Sequence, residues 1–242
     1  MNKLTITEKD LLTNQEKEVY RTLRTNIEFT GIENRVIALT SCMPDDGKTT
    51  VSYRLACAFA ENDKRTLFID ADLRKSIFMQ RYNITGNPKG LSHFLSGQVP
   101  LNCVVYSTNK ENLSVIPVGK FPSSPTELFA KARFEKMLDE LREKFDYIII
   151  DTPPLGSVID AAVIAQKCDA SLMVLASDKT SRTFAKSVIA QLKSANPNFL
   201  GVVLNKVDVK SRGYYGKRYG GYYGGKYRSY STYYQSDESQ QQ

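Results

Sequence analysis

The chain has 242 residues, of which 41% are apolar and 24% charged, and a formal net charge of +7. That size suits one good-sized α/β domain plus a short appendage, and the balance is that of a soluble globular protein. No run approaches the length needed to span a bilayer and the N-terminus lacks an apolar leader. The four cysteines (Cys42, Cys57, Cys103, Cys168) have neither paired spacing nor histidine partners, which argues against a disulfide framework or a zinc site.

Residues 14–30 read as a helix with Val19, Leu23 and Ile27 on one stripe and Tyr20 beside it. Glu18, Arg21 and Arg24 form E-x-x-R-x-x-R, a spacing that brings them together on the helix surface. They make either a solvated face with weak ion pairs or a contact face for another subunit, since arginine's planar fork suits interface pairs.

Residues 36–50, VIALTSCMPDDGKTT, pass from a β-branched run through small and turn-forming residues to Gly47-Lys48-Thr49 opening a helix. That order suits a phosphate chain: backbone N–H groups curl round the anion and the helix N-terminus adds partial positive charge. Lys48 supplies a point charge at the outer phosphates and Thr49 a hydroxyl for magnesium, within a binding loop of Asp46, Gly47, Lys48, Thr49 and Thr50. The usual G-x-x-x-x-G-K-[ST] would place glycine where this chain has Cys42. Asp45 and Asp46 stand where small residues are usual, and side chains pointing outward would keep their charge away from a triphosphate.

A helix over about 48–61 and a strand over 66–69 follow, ending in Asp70-Ala71-Asp72-Leu73-Arg74. Open α/β sheets bind ligands at the carboxyl ends of their strands, which puts Asp70 beside the phosphate loop and Asp72 slightly further out. A capping aspartate before a charged turn explains one carboxylate but not the pair. Gly90–Gly97 reads as a short helix containing the lone histidine, His93, in a packing or surface role, and Leu113–Pro117 reads as a strand. Ser124-Pro125-Thr126-Glu127 carries the signature of a helix start with a capping box. Helix 133–144 buries Phe134, Met137, Leu138 and Leu141.

Tyr147–Asp151 is a continuous apolar run closed by a carboxylate, the pattern of a central parallel strand buried on both faces. Asp151 then shares the phosphate loop's edge and is placed to hold a magnesium-bound water or to orient Thr49. Strand 170–176, helix 180–194 and strand 199–204 complete the alternation. Asn205-Lys206-Val207-Asp208 matches N-K-x-D, and Asn205 can read a purine edge there without demanding guanine.

Residues 211–242 break the pattern. They hold nine of the fourteen tyrosines (Tyr214, Tyr215, Tyr219, Tyr222, Tyr223, Tyr227, Tyr230, Tyr233, Tyr234) among glycines and basic residues, with no aliphatic residue after Val209. Such a segment cannot bury a core and reads as a disordered tail behind a domain of residues 1–210. From residue 210 onward the net charge is +4, leaving +3 for the rest of the chain, so the body is not a basic nucleic-acid-binding surface.

These stretches together resemble the bacterial tyrosine kinase (BY-kinase) family of capsular and exopolysaccharide loci, in its separate cytoplasmic form. TSCMPDDGKTT is similar to that family's Walker A loop, FIDADLR to its Walker A′ and IIIDTPP to its Walker B. The E-x-x-R-x-x-R helix and the C-terminal tyrosine cluster complete the likeness. The resemblance implies a P-loop NTPase-type, mostly parallel α/β sheet with helices on both faces and a disordered tail. It also implies ATP, Mg2+ and transfer of a phosphoryl group to the tail tyrosines of a neighbouring subunit. By that match Lys48 binds the outer phosphates, Thr49, Asp70 and Asp151 hold the metal, and Asp72 takes the tyrosine proton. Glu18, Arg21 and Arg24 would build a homo-oligomeric ring. The cytoplasmic end of a membrane chain-length regulator would be the activating adaptor, with the kinase peripheral to the inner membrane face, and a cognate phosphotyrosine phosphatase would reverse the reaction. Two other readings compete. A ParA/MinD-like ATPase switch usually carries a second lysine early in the loop, where this chain has Met43. A nucleic-acid-binding module would use the Gly/Tyr/basic tail but leaves the three nucleotide motifs unexplained.

Overall fold

The computed structural model describes residues 2–8 and 11–207. Its strands are β1 (Asn2–Leu4), β2 (Val36–Ser41), β3 (Thr66–Asp70), β4 (Tyr106–Thr108), β5 (Leu113–Ile116), β6 (Tyr147–Asp151), β7 (Ala170–Ala176) and β8 (Phe199–Asn205). They form one sheet in the order β1-β4-β5-β3-β6-β2-β7-β8, in which only the β4–β5 pair is antiparallel. The helices are α1 (Asn14–Glu28), α2 (Lys48–Ala60), α3 (Phe78–Arg81), α4 (Leu91–Leu95), α5 (Pro125–Ala130), α6 (Ala132–Arg142), α7 (Asp160–Ala165) and α8 (Arg182–Ala195). The tail segment 211–242, its nine tyrosines and Asp208 lie outside the described residues.

The alternation along β2 explains the two cores. Val36 and Ala38 point into one cluster with Ile148 and Ile150 of β6, Phe134 and Leu141 of α6, and Val188 and Leu192 of α8. Ile37 and Leu39 point the other way, to Ile149, to Ile27 of α1 and to the face of α2 carrying Leu55 and Phe59. Strands β2 and β3 are buried from end to end, so β-branched and aliphatic residues fill both faces. A ring cluster of Tyr53, Phe68, Phe78 and Tyr82 packs under the second face.

Two local expectations are corrected. Val19 is 59% exposed, and α1 instead seats Tyr20, Leu23 and Ile27 against the sheet side. Ser124 makes no side-chain cap at the start of α5, although Pro125 takes the first helical turn as expected. The two shortest pieces of sheet, β1 and β4, carry no sequence pattern long enough to mark them. By contrast Thr13 closes a capping box with Glu16 and fixes the start of α1.

Candidate active site

The sheet places the phosphate loop, residues 41–48, after the central strand β2, with β6 on one side and β7 on the other. Gly47 is the N-cap of α2 at φ 90°, and a Cβ there would lie 2.1 Å from Asn205 Nδ2, so both backbone and space demand glycine. The other left-handed position is Asp45 at φ 63°, a conformation that aspartate tolerates. Cys42 is not at positive φ, which is why a side chain is accepted where the motif usually has glycine. Its buried sulfur sits 4.0 Å from Met173 Sδ, and burial pushes the thiol up to about 11.

Lys48 opens α2 and is almost fully buried. Its Nζ donates to Asp72 Oδ2 at 3.1 Å and lies 3.7 Å from Asp151 Oδ2. Burial works against the ammonium charge, but Asp151 and Asp72 outweigh it and raise the group above the usual lysine range. Asp70 and Asp151 are paired in register on the adjacent strands β3 and β6, so their carboxylates leave the sheet side by side. Burial first, and then the facing Asp151, push Asp70 well above the ordinary carboxylate range, while a hydrogen bond from Ser76 pulls the other way. Asp151 is raised too, by burial, against the pull of Lys48 and of hydrogen bonds from Thr49 and Ser52.

Asp72 turns back into the site rather than standing outside it. Its Oδ2 meets Lys48, and its Oδ1 accepts the N–H groups of Arg74 at 3.3 Å and Lys75 at 3.0 Å. Arg74 in turn clamps the buried Asp160 through Nε at 2.5 Å and Nη2 at 3.0 Å, and Thr126 of α5 donates to the same carboxylate. Sequence reading passed over Ser52 and Asp160. Ser52 stands one helical turn beyond Lys48 and donates to Asp151 at 3.2 Å, a placement the i, i+4 spacing signals. Nothing in the sequence marks Asp160 as Arg74's partner.

The loop's outer side is also held. Asn205 donates from Nδ2 to Asp46 O at 2.9 Å, and Lys206 Nζ to Asp45 O at 2.7 Å. Asp45 is exposed, as expected, but Asp46 is fully buried, against the outward orientation expected for it. Its Oδ2 accepts the Met43 N–H at 2.9 Å, because closing the tight loop needs an acceptor inside it. Thr50 is half-buried in the first turn of α2. Lys48, Thr49, Asp70, Asp72 and Asp151 are therefore gathered at one edge of the sheet. The helix face is divided: Glu18 and Arg21 pair on the surface, whereas Arg24 faces inward and donates to Ala58 O at 3.0 Å.

Asp151 Oδ2 is buried without a hydrogen-bond donor, beside a second buried carboxylate and the Thr49 hydroxyl. An acidic pair with an unfilled oxygen and an adjacent hydroxyl fits a hard divalent cation. Lys48 lies next to it at the start of a helix, where the phosphates of a nucleotide are favoured.

A family model described as an AAA domain matches residues 34–198. The tyrosine-protein kinase CpsD of Streptococcus agalactiae is 41% identical over 207 residues, covering 84% of this chain and 90% of that protein. The protein of the same name from Streptococcus pneumoniae serotype 4 is 43% identical over 198 residues, covering 82% and 87%. The solved kinase domain of the Escherichia coli tyrosine kinase ETK superposes with a TM-score of 0.76 at 31% identity, over 84% of this chain and 89% of that one. With the carboxylate–lysine cluster in place and this likeness along nearly the whole length of the two streptococcal kinases, the chain belongs to the bacterial tyrosine kinases, enzymes built on a phosphate-loop ATPase fold.

Proposed function

We propose that the chain is an ATP- and Mg2+-dependent autokinase that phosphorylates the tyrosines of residues 214–234, one subunit acting on the tail of the next. The observation that carries this reading is the convergence of Lys48, Asp70, Asp72 and Asp151 within one buried cluster. A bound magnesium would neutralise charge on the phosphates, and Thr49, Asp70 and Asp151 are the residues that would hold it. Lys48 would exchange its contact with Asp72 for the outer phosphates. That exchange frees the Asp72 carboxylate, kept in place by the Arg74 and Lys75 N–H groups, to accept the phenol proton. Phosphoryl transfer relies on positioning and charge neutralisation, so this set suffices without a covalent intermediate.

In this reading Glu18 and Arg21 of α1 supply contacts for a ring, with Arg24 bracing them from within. The activating partner is the cytoplasmic end of a membrane chain-length regulator, which holds the kinase at the inner membrane face. A phosphotyrosine phosphatase resets the tail, and the cycle regulates capsular or exopolysaccharide synthesis. Mass spectrometry of the protein as expressed, beside Lys48→Met, tests the core of this. Phosphate on residues 214–234 of the wild type and its loss in the variant are expected. Equal phosphate in both, or ATP turnover that ends only in free phosphate, would overturn the kinase reading in favour of an ATPase switch.

A further inference from the structure

The buried Asp46 puts a carboxylate inside an anion-binding loop, and the structure places a cation against it from outside the loop. Lys179 lies in the turn between β7 and α8, where Asp178 at φ 56° redirects the chain. Its Nζ donates to Pro44 O and stands 3.7 Å from Asp46 Oδ1. Asp46 Oδ1 is buried with no hydrogen-bond donor, so this ammonium is the charge that faces it. The loop is also gripped by Asn205 and Lys206, whose donors take the carbonyls of Asp46 and Asp45. The carbonyls of Pro44, Asp45 and Asp46 are thus taken by side chains, and apart from that of Met43, which Asp46 accepts, the loop's N–H groups are left for an anion.

We propose that Lys179 is a positioning residue for nucleotide binding: it neutralises Asp46 and fixes the phosphate loop, without itself touching the nucleotide. This rests on the reading of the loop as an ATP site. A buried carboxylate deprived of its counter-charge repels an incoming triphosphate and destabilises the loop that carries it. Lys179→Met should therefore weaken binding of a fluorescent ADP analogue on the order of tenfold. Asp46→Asn keeps an acceptor for the Met43 N–H while removing the charge, and is the background in which Lys179→Met should cost little or nothing. The double variant Lys179→Met/Asp46→Asn should recover the affinity lost by Lys179→Met alone. The melting temperature without nucleotide should follow the same pattern, falling in the lysine variant and recovering in the double one.

The cycle separates the possibilities. A lysine that contacts phosphate directly gives the same loss in the wild-type background as in the Asp46→Asn background, and that additive result would overturn the proposal. So would a Lys179→Met variant with unchanged affinity and melting temperature. A chain that binds no nucleotide in any form defeats the ATP reading itself, while the melting temperatures still report on the pair.

Discussion

At the scale of single residues, the site holds charges that the fold alone would not keep. Asp70 is completely buried, next to Asp151, and its pKa is well above the ordinary carboxylate range. A carboxyl raised in this way stays protonated in the native state at pH values where the unfolded chain has released the proton. Its favourable contribution is present below the unfolded value and is lost as pH rises through the folded one. Asp70→Asn removes that loss, so the nucleotide-free variant should melt roughly 3–6 °C above wild type at pH 8, with the gap closing toward pH 4. Calorimetry across pH checks this, and an unchanged or lower melting temperature at pH 8 would contradict it. Lys48→Met does the opposite. It strands Asp72 and Asp151 without their shared ammonium, and should lower stability by about 3 kcal/mol in urea unfolding at neutral pH. The residue types at these positions were readable in the sequence, because strands that end in carboxylates beside a Gly-Lys-Thr loop restrict what the edge can do. Side-chain direction was not. Asp46 turning inward and Asp72 turning back to Lys48 depend on which backbone N–H groups the loops leave open, and that is settled only by tertiary contacts.

Among the elements, α1 shows how a single motif is divided between structure and surface. Arg24 donates to Ala58 O at the end of α2 and lies 3.6 Å from Glu28, while Glu18 and Arg21 pair in solvent. Arg24→Ala should therefore cost about 1–2 kcal/mol of stability, through a stranded carbonyl and lost packing. Glu18→Ala and Arg21→Ala should each stay within about 0.5 kcal/mol. If the surface pair builds a ring, those two changes reduce the mass measured by light scattering while leaving the melting curve in place. The Arg74–Asp160–Thr126 junction binds the turn after β3 to α5 and α7. Asp160→Asn should cost about 2 kcal/mol, less than a fully buried pair because the arginine side chain is 39% exposed. The long elements could be read from periodicity to within a residue or two. The three-residue strands β1 and β4 could not, since pairing with an existing sheet, rather than their own pattern, makes them strands.

For the whole molecule, the predictions turn on the charge of its last residues. The segment from residue 210 onward carries +4, and each phosphotyrosine adds roughly −1.5 to −2, so two or three modifications cancel it. A chain ending at Lys210 should keep the melting temperature and nucleotide affinity of the full protein, yet incorporate no phosphate of its own. Loss of nucleotide affinity on this truncation would mean that the tail completes the site. If the basic tail is what holds subunits together, phosphorylation should also lower the oligomeric mass by cancelling that charge. A fully modified sample with unchanged mass in light scattering would contradict that link.

Strand order also fixes where each end of the described body emerges. β1 and β8 are the opposite margins of the sheet, seven strand intervals apart, or about 34 Å at the usual spacing. A fluorescent protein or affinity handle spliced ahead of Asn2 would start from the flank remote from the one where β8 ends and Lys206 follows. A dye pair on cysteines placed at Lys3 and at the exposed Leu204 of β8 would span the sheet's full width without touching the phosphate loop. Because β1 is held by only three register pairs, that distance becomes a gauge for its peeling away, readable while the chemistry at the centre continues undisturbed.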